Sequence, residues 1–129
     1  MATIGLNHYN LRAPRDLMES LKVFYCDVVG LKQGERPPFA FPGYWLYAGD
    51  AAVLHLTEAR PGEARAAHAA STFDHAAFTC TGLAATQSRL EAMSIQFERA
   101  VVPATRCVQL FLQDPAGNGV ELNFPDGEA

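Results

Sequence analysis

The sequence predicts an α+β chain made of two tandem βαβββ modules. Two observations predict it. The order strand, helix, then three strands runs once before a stretch near residues 59–71 that has no strand pattern, and once again after it. Residues with metal-ligand chemistry also recur at one interval. His8 and His75, 67 positions apart, stand in the first strand of each half, and His55 and Glu121, 66 apart, in the last. On this reading 129 residues form a single domain, with module one at about 3–58 and module two at about 72–125.

"LNHYNLRA" alternates and predicts the first strand. "APRDLMESLKVFYCDVVG" predicts a helix with Asp16 as its cap, Glu19 three residues on as in a capping box, and Gly30 at the C′ position. Leu17, Leu21, Phe24 and Val28 then share one face. "LKQGE" predicts a strand and "RPPFAFPG" a proline-broken loop; "YWLYAG" and "AAVLHLTE" predict two strands across the Gly49–Asp50 turn. His68 falls in the linker and is expected to be exposed. The second half follows with the strand "FDHAAFTC", the helix "GLAATQSRLEAM", and the strands "SIQFERAV", "VQLFLQD" and "VELNF", the last after the turn "DPAGNG".

Side chains alternate between the faces of a strand. Val120, Leu122 and Phe124 therefore lie opposite Glu121, Leu54 and Leu56 opposite His55, and Ala76 and Phe78 opposite His75. In each case the apolar face is available to a helix while the His or Glu looks the other way.

A net charge of −4, with no cluster of Lys or Arg, argues against a nucleic-acid partner. No apolar run approaches the roughly 20 residues of a membrane span, and "MATIGLNHYN" lacks the charged and apolar regions of a signal peptide. Cys26, Cys80 and Cys107 are odd in number, far apart and without a CxxC spacing, so they are expected to be reduced thiols packed as small hydrophobes in a cytoplasmic protein.

Five segments in order, "GLNHYNLRA", "FYCDVVGLK", "AAVLHLTE", "FDHAAF" and "DPAGNGVELNF", resemble the vicinal oxygen chelate superfamily, which includes glyoxalase I, extradiol dioxygenases, fosfomycin-resistance thiol transferases and bleomycin-resistance proteins. The resemblance covers nearly the whole chain. It implies that the modules curve into a cup around a divalent metal ion held by His8, His55, His75 and Glu121. It also implies a homodimer in which one cup takes a module from each chain, and a small-molecule substrate. Imidazole and carboxylate ligands suit Zn, Ni, Co, Mn or Fe(II) without choosing among them.

Position 55 divides the functional readings. In glyoxalase I the resemblance implies a metal-ligating Glu there that also shuttles protons; a His keeps a ligand but changes the base. The first reading is a glyoxalase-like lyase or isomerase, in which the metal stabilises an enediolate and Glu121 or His55 moves the proton. Arg12 shares the parity of His8 and is similar to an arginine that binds an anionic substrate group. "HLTEARPG" departs from the Asn-Trp segment near glutathione in glyoxalase I, which points to another substrate. The alternative is an Fe(II) extradiol-type dioxygenase with His8, His75 and Glu121 on iron, His55 as acid/base, and Phe39, Phe41, Tyr44 and Trp45 lining an aromatic pocket. The fosfomycin transferase ranks lower, because "PATRCVQLFLQDPAGNG" lacks the serine- and lysine-rich anion site. A metal-free drug-binding protein is the last reading, and four intact ligand positions argue against it.

Overall fold

The computed structural model describes residues 1–127, and the chain divides into two compact units, Met1–Ala66 and Ala67–Ala129. The first unit holds β1 (Tyr9–Ala13), α1 (Arg15–Phe24), β2 (Lys32–Gly34), β3 (Gly43–Ala48) and β4 (Ala51–Glu58). The second holds β5 (His75–Thr79), α2 (Leu83–Ala92), β6 (Glu98–Val101), β7 (Val108–Gln113) and β8 (Gly119–Phe124). Each unit is thus a βαβββ module, as the sequence predicts.

The two four-stranded sheets share one topology, β1-β4-β3-β2 and β5-β8-β7-β6. In each, the strand before the helix pairs in parallel with the last strand, and the remaining pairs are antiparallel. Registers also match. Asn10 pairs with His55 in the first sheet and Ala77 with Glu121 in the second. Across the antiparallel pairs, Trp45 faces His55 and Phe111 faces Glu121. Positions 55 and 121 therefore occupy one place in two copies of the same frame.

Helix α1 packs on β1, β3 and β4. Its buried residues Met18, Leu21 and Phe24, with Tyr25 and Val28 beyond them, meet a sheet face carrying Ala13, Leu46, Leu54 and Leu56. Three expectations for this helix need correction. It begins at Arg15 with Pro14 as N-cap and no side-chain cap bond, so Asp16 lies in the first turn rather than at the cap. Glu19 accepts a hydrogen bond from the Tyr44 hydroxyl at 2.7 Å, and a proline N-cap has no N–H for a capping box. Leu17 is only half-buried and Met18 takes its place in the core. The C-terminal expectation holds. A π-helical turn, Tyr25–Val29, ends at Gly30 with φ 96°, and the amides of Gly30 and Leu31 both donate to the Tyr25 carbonyl. The extra residue in that turn brings Tyr25 as well as Phe24 into the core.

In the second unit Leu83, Thr86 and Leu90 of α2 are buried, as are Val108, Leu110, Leu112, Val120, Leu122 and Phe124 of the sheet. The strand expected from "SIQFERAV" is confined to Glu98–Val101. No disulfide joins the three cysteines; Cys107 is buried and the other two are half-buried. No helix among the described residues is long and apolar enough to cross a membrane.

Candidate functional site

The alternation that buries Leu54, Leu56, Val120 and Leu122 turns positions 55 and 121 to the other face of each sheet. His75 opens β5, two residues before the partner of Glu121, and His8 stands two residues before the partner of His55. His8 precedes β1, which begins at Tyr9, so it does not lie within the first strand as expected. The fold nevertheless brings His8 to His55 and His75 to Glu121, one pair in each unit.

The pairs differ in geometry. In the second unit His75 Nε2 lies 3.2 Å from Glu121 Oε1, and His75 Nδ1 lies 2.7 Å from Asp74 Oδ2. The other carboxylate oxygen of Glu121 accepts from Asn123 Nδ2 at 2.9 Å and from Gln109 Nε2 at 3.2 Å. Glu121 is buried, whereas His75 is exposed beside Phe111, whose ring meets it edge-on at 5.6 Å. The hydrogen bond that His75 Nδ1 donates to Asp74, followed by the charges of Glu121 and Asp74, holds the His75 pKa above its usual value.

In the first unit the rings form a stack. His55 lies between His8, 3.7 Å away and 14° from parallel, and Trp45, 4.1 Å away and 11° from parallel. His55 is buried; burial first, and then His8, push its pKa down, so it favours the neutral imidazole. Asn10, its strand partner, donates to Thr57 Oγ1 at 2.9 Å.

A divalent cation sets the distances and directions its donors must satisfy. Two groups bound to one ion at about 2.0–2.2 Å stand roughly 3.0–3.4 Å apart, so the 3.2 Å ion-pair contact between His75 Nε2 and Glu121 Oε1 is also compatible with two ligands of one ion. A ring nitrogen coordinates in the plane of its ring. Face-to-face imidazoles point along parallel lines that do not converge, so His8 and His55 cannot hold one ion while stacked. His8 is exposed and has room to turn. Among the described residues no group of three or more His, Cys, Asp or Glu is placed to hold a metal; the donors come as two pairs.

The substrate-binding candidates are placed as follows. Trp45 continues the stack toward Phe39, 6.3 Å away, which lies 5.0 Å from Phe41. The Arg36 guanidinium sits over both phenylalanine rings at 4.9 and 5.1 Å and donates to the Phe41 carbonyl. Phe39 and Phe41 stay substantially exposed, an aromatic row running outward from His55. Arg12 lies on the same strand face as Asn10 but is paired with Glu63 at 3.5 Å. His68, exposed as expected, donates its backbone amide to Ala116. With His75, Asp74 and Phe111 it borders an open cavity of about 1180 Å³ within the second unit.

A family model for the Glyoxalase/Bleomycin resistance protein/Dioxygenase superfamily matches residues 5–122. The chain belongs to this superfamily. Its relatives include an Arabidopsis thaliana protein named Glyoxylase I 4, 31% identical over 122 residues that span 92% of this chain and 69% of the relative. Two solved structures share the superfamily fold at low identity. One is a lactoylglutathione lyase from Agrobacterium tumefaciens (TM-score 0.66, 22% identity, 96% of each chain covered). The other is an antibiotic binding protein from Streptomyces (TM-score 0.64, 18% identity, 98% of this chain and 99% of that one). One fold thus carries both a lyase and a binder, and the side chains on it decide between them.

Sequence reasoning missed Asp74, Gln109, Asn123 and Asn10, and also Asn7, whose Oδ1 stands 2.7 Å from His8 Nδ1. The signal was present. A polar Asx precedes each of His8 and His75, and Gln109 and Asn123 recur at period two on the polar face of "VQLFLQ" and "VELNF".

Proposed function

We propose that this superfamily member is a divalent-metal-dependent enzyme, a glyoxalase-like lyase or isomerase acting on a small substrate with two adjacent oxygens. The observation that carries the reading is the 3.2 Å approach of His75 Nε2 to Glu121 Oε1. His8, His75 and Glu121 would hold the ion. When bound it would act as a Lewis acid toward negative charge developing on the neighbouring substrate oxygens, and Zn, Ni, Co, Mn and Fe(II) all suit the donors. His55, buried, neutral-favouring and braced by Trp45, is suited to take a proton from a substrate carbon and return it to the next. It would join the ligand set only if His8 turned away. Trp45 and Phe41 offer apolar surface to the rest of the substrate, and Arg12 reaches an anionic substrate group only by leaving Glu63.

Each unit contributes only one pair of donors. On this proposal the chain works as a homodimer in which His8 and His55 of one copy meet His75 and Glu121 of a second. The resemblance to Glyoxylase I 4 supports the lyase chemistry, while "HLTEARPG", which runs from His55 through the end of β4 to Gly62, supports a substrate other than a glutathione adduct.

A second reading, ring cleavage by an Fe(II) dioxygenase, is favoured by one observation: the His8–His55 stack leaves a two-His-one-carboxylate set with a separate imidazole base. The test is elemental analysis of protein purified anaerobically without a chelator or affinity tag, together with its mass in solution. About one Zn, Ni, Co or Mn per chain of a dimer supports the lyase or isomerase, and iron supports the dioxygenase. Protein that is metal-free and refuses added metal overturns both, and leaves a small-molecule binder.

A further inference from the structure

The duplicated frame supplies an internal control for the surroundings of Glu121. Gln109 lies two residues before its cross-strand partner Phe111, and Asn123 lies two residues after Glu121 itself. The equivalent places around His55 are Gly43, two before Trp45, and Thr57, two after His55. Neither resembles an amide. At Gly43 a Cβ would stand 2.3 Å from the Leu56 carbonyl oxygen, so no side chain fits there. Thr57 is occupied as the acceptor for Asn10. At these two places side-chain amides thus stand beside the carboxylate and not beside the imidazole; the first unit's own amide, Asn10, comes from β1 and donates to Thr57.

Both amides donate to the same atom, Glu121 Oε2, and leave Oε1 facing His75 Nε2. The orientation of Asn123 is itself fixed, because its Oδ1 accepts from the buried Cys107 thiol at 3.2 Å and so turns Nδ2 toward Glu121. A carboxylate with one oxygen held by two donors cannot rotate about its terminal bond without breaking both. It presents a single oxygen, in one direction.

We infer that Gln109 and Asn123 are positioning residues that clamp one oxygen of Glu121 and aim the other at the metal. This deepens the function proposed above and rests on its assignment of Glu121 as a ligand. Hydrogen-bond partners of a ligating carboxylate typically contribute about 10- to 100-fold to metal affinity. Both residues are half-buried, so apolar replacements of similar length remove the donors without opening a large cavity.

The experiment titrates Co(II) into the full chain, reading both the dissociation constant and the visible absorption of the bound ion. Wild type, Gln109→Met, Asn123→Leu, Glu121→Ala and the control Gln113→Leu are compared, with folding checked by circular dichroism. Gln113 lies two residues beyond Phe111 on the same strand and is exposed. The expected result is weakening by about 10- to 100-fold for Gln109→Met and Asn123→Leu. Their Co(II) spectra should also be altered, since a freed carboxylate can change its binding mode. Gln113→Leu should match wild type. If wild type binds and Glu121→Ala does not, yet Gln109→Met keeps wild-type affinity and spectrum, the clamp is wrong while the metal site stands. If wild type takes up no Co(II), the proposed function and the clamp fall together. Should Asn123→Leu fail to fold, Gln109→Met decides alone.

Discussion

His55 and Trp45 are cross-strand partners whose rings lie face to face, 4.1 Å between centroids and 11° from parallel. The pairing follows from register alone: β3 and β4 place the two residues directly opposite, on the face that the buried Leu46, Leu54 and Leu56 do not use. A flat ring pressed on an imidazole fixes its plane, and the chain carries no second tryptophan that could substitute.

Replacing Trp45 should separate these effects. Trp45→Phe retains a stacking ring and is expected to keep the fold and the orientation of His55. Trp45→Ala removes it and should cost roughly 1–3 kcal/mol, less than a fully buried site because Trp45 is half-buried. Urea unfolding of both variants checks the magnitude. Equal stability of the alanine variant and wild type would show that the stack contributes nothing to the fold.

Glu121→Ala and His75→Ala are expected to abolish metal binding while the chain stays folded. Glu121→Ala is the harsher change, since it leaves Gln109 and Asn123 without their acceptor at a cost of about 1–3 kcal/mol. His75 is exposed at the start of β5 and should be nearly neutral for stability. Metal content by mass spectrometry, alongside thermal melts, decides it; full retention of metal in both variants would refute the site.

Gly119 makes a sharper test of how the frame holds His75. The two are register partners, and a Cβ at Gly119 would stand 2.1 Å from the Asp74 carbonyl oxygen and 2.9 Å from His75 Cβ. Gly119→Ala must therefore push the start of β5 away, at a cost of about 1–3 kcal/mol. It should weaken metal binding by displacing His75, although it removes no ligand atom. Unchanged melting temperature and affinity would mean that β5 gives way freely at this point.

Acid should loosen the segment after β4. The Arg60 amide, then Arg65 and Arg12, hold the Glu63 pKa down to about 2 from an ordinary 4.5. A depressed carboxylate stabilises the fold fully above its unfolded value. That contribution is lost as pH falls from about 4.5 toward 2. Glu58, paired with Arg15, is lowered in the same direction. Denaturant melts between pH 6 and 2 should show stability falling in this window, with a shallower fall in Glu63→Gln. Parallel curves for the two proteins would remove Glu63 from the account.

The order of elements was legible because periodicity survives in a single strand or helix. Alternation marked "AAVLHLTE" and "VELNF", and a glycine with positive φ ended the first helix where a C′ residue belongs. The helix start differs from the expectation because Pro14 begins the helix two residues before Asp16, and Met18 is buried rather than Leu17 because it shares a face with Leu21, Tyr25 and Val28 at spacings of three and four.

By itself, the sequence determined two copies of one module and the polar-face positions of His55, His75 and Glu121, since strand parity and an interval of 66 to 67 residues are properties of the chain alone. Only the tertiary structure decided what surrounds those positions. Register set Trp45 against His55 and Phe111 against Glu121; the packing stacked His8 on His55, paired Arg12 with Glu63 and turned two amides onto one oxygen of Glu121. Apart from Asn123, two positions from Glu121, these contacts join residues 10 to 51 positions apart, and no local propensity specifies the distance or angle at which two such side chains meet.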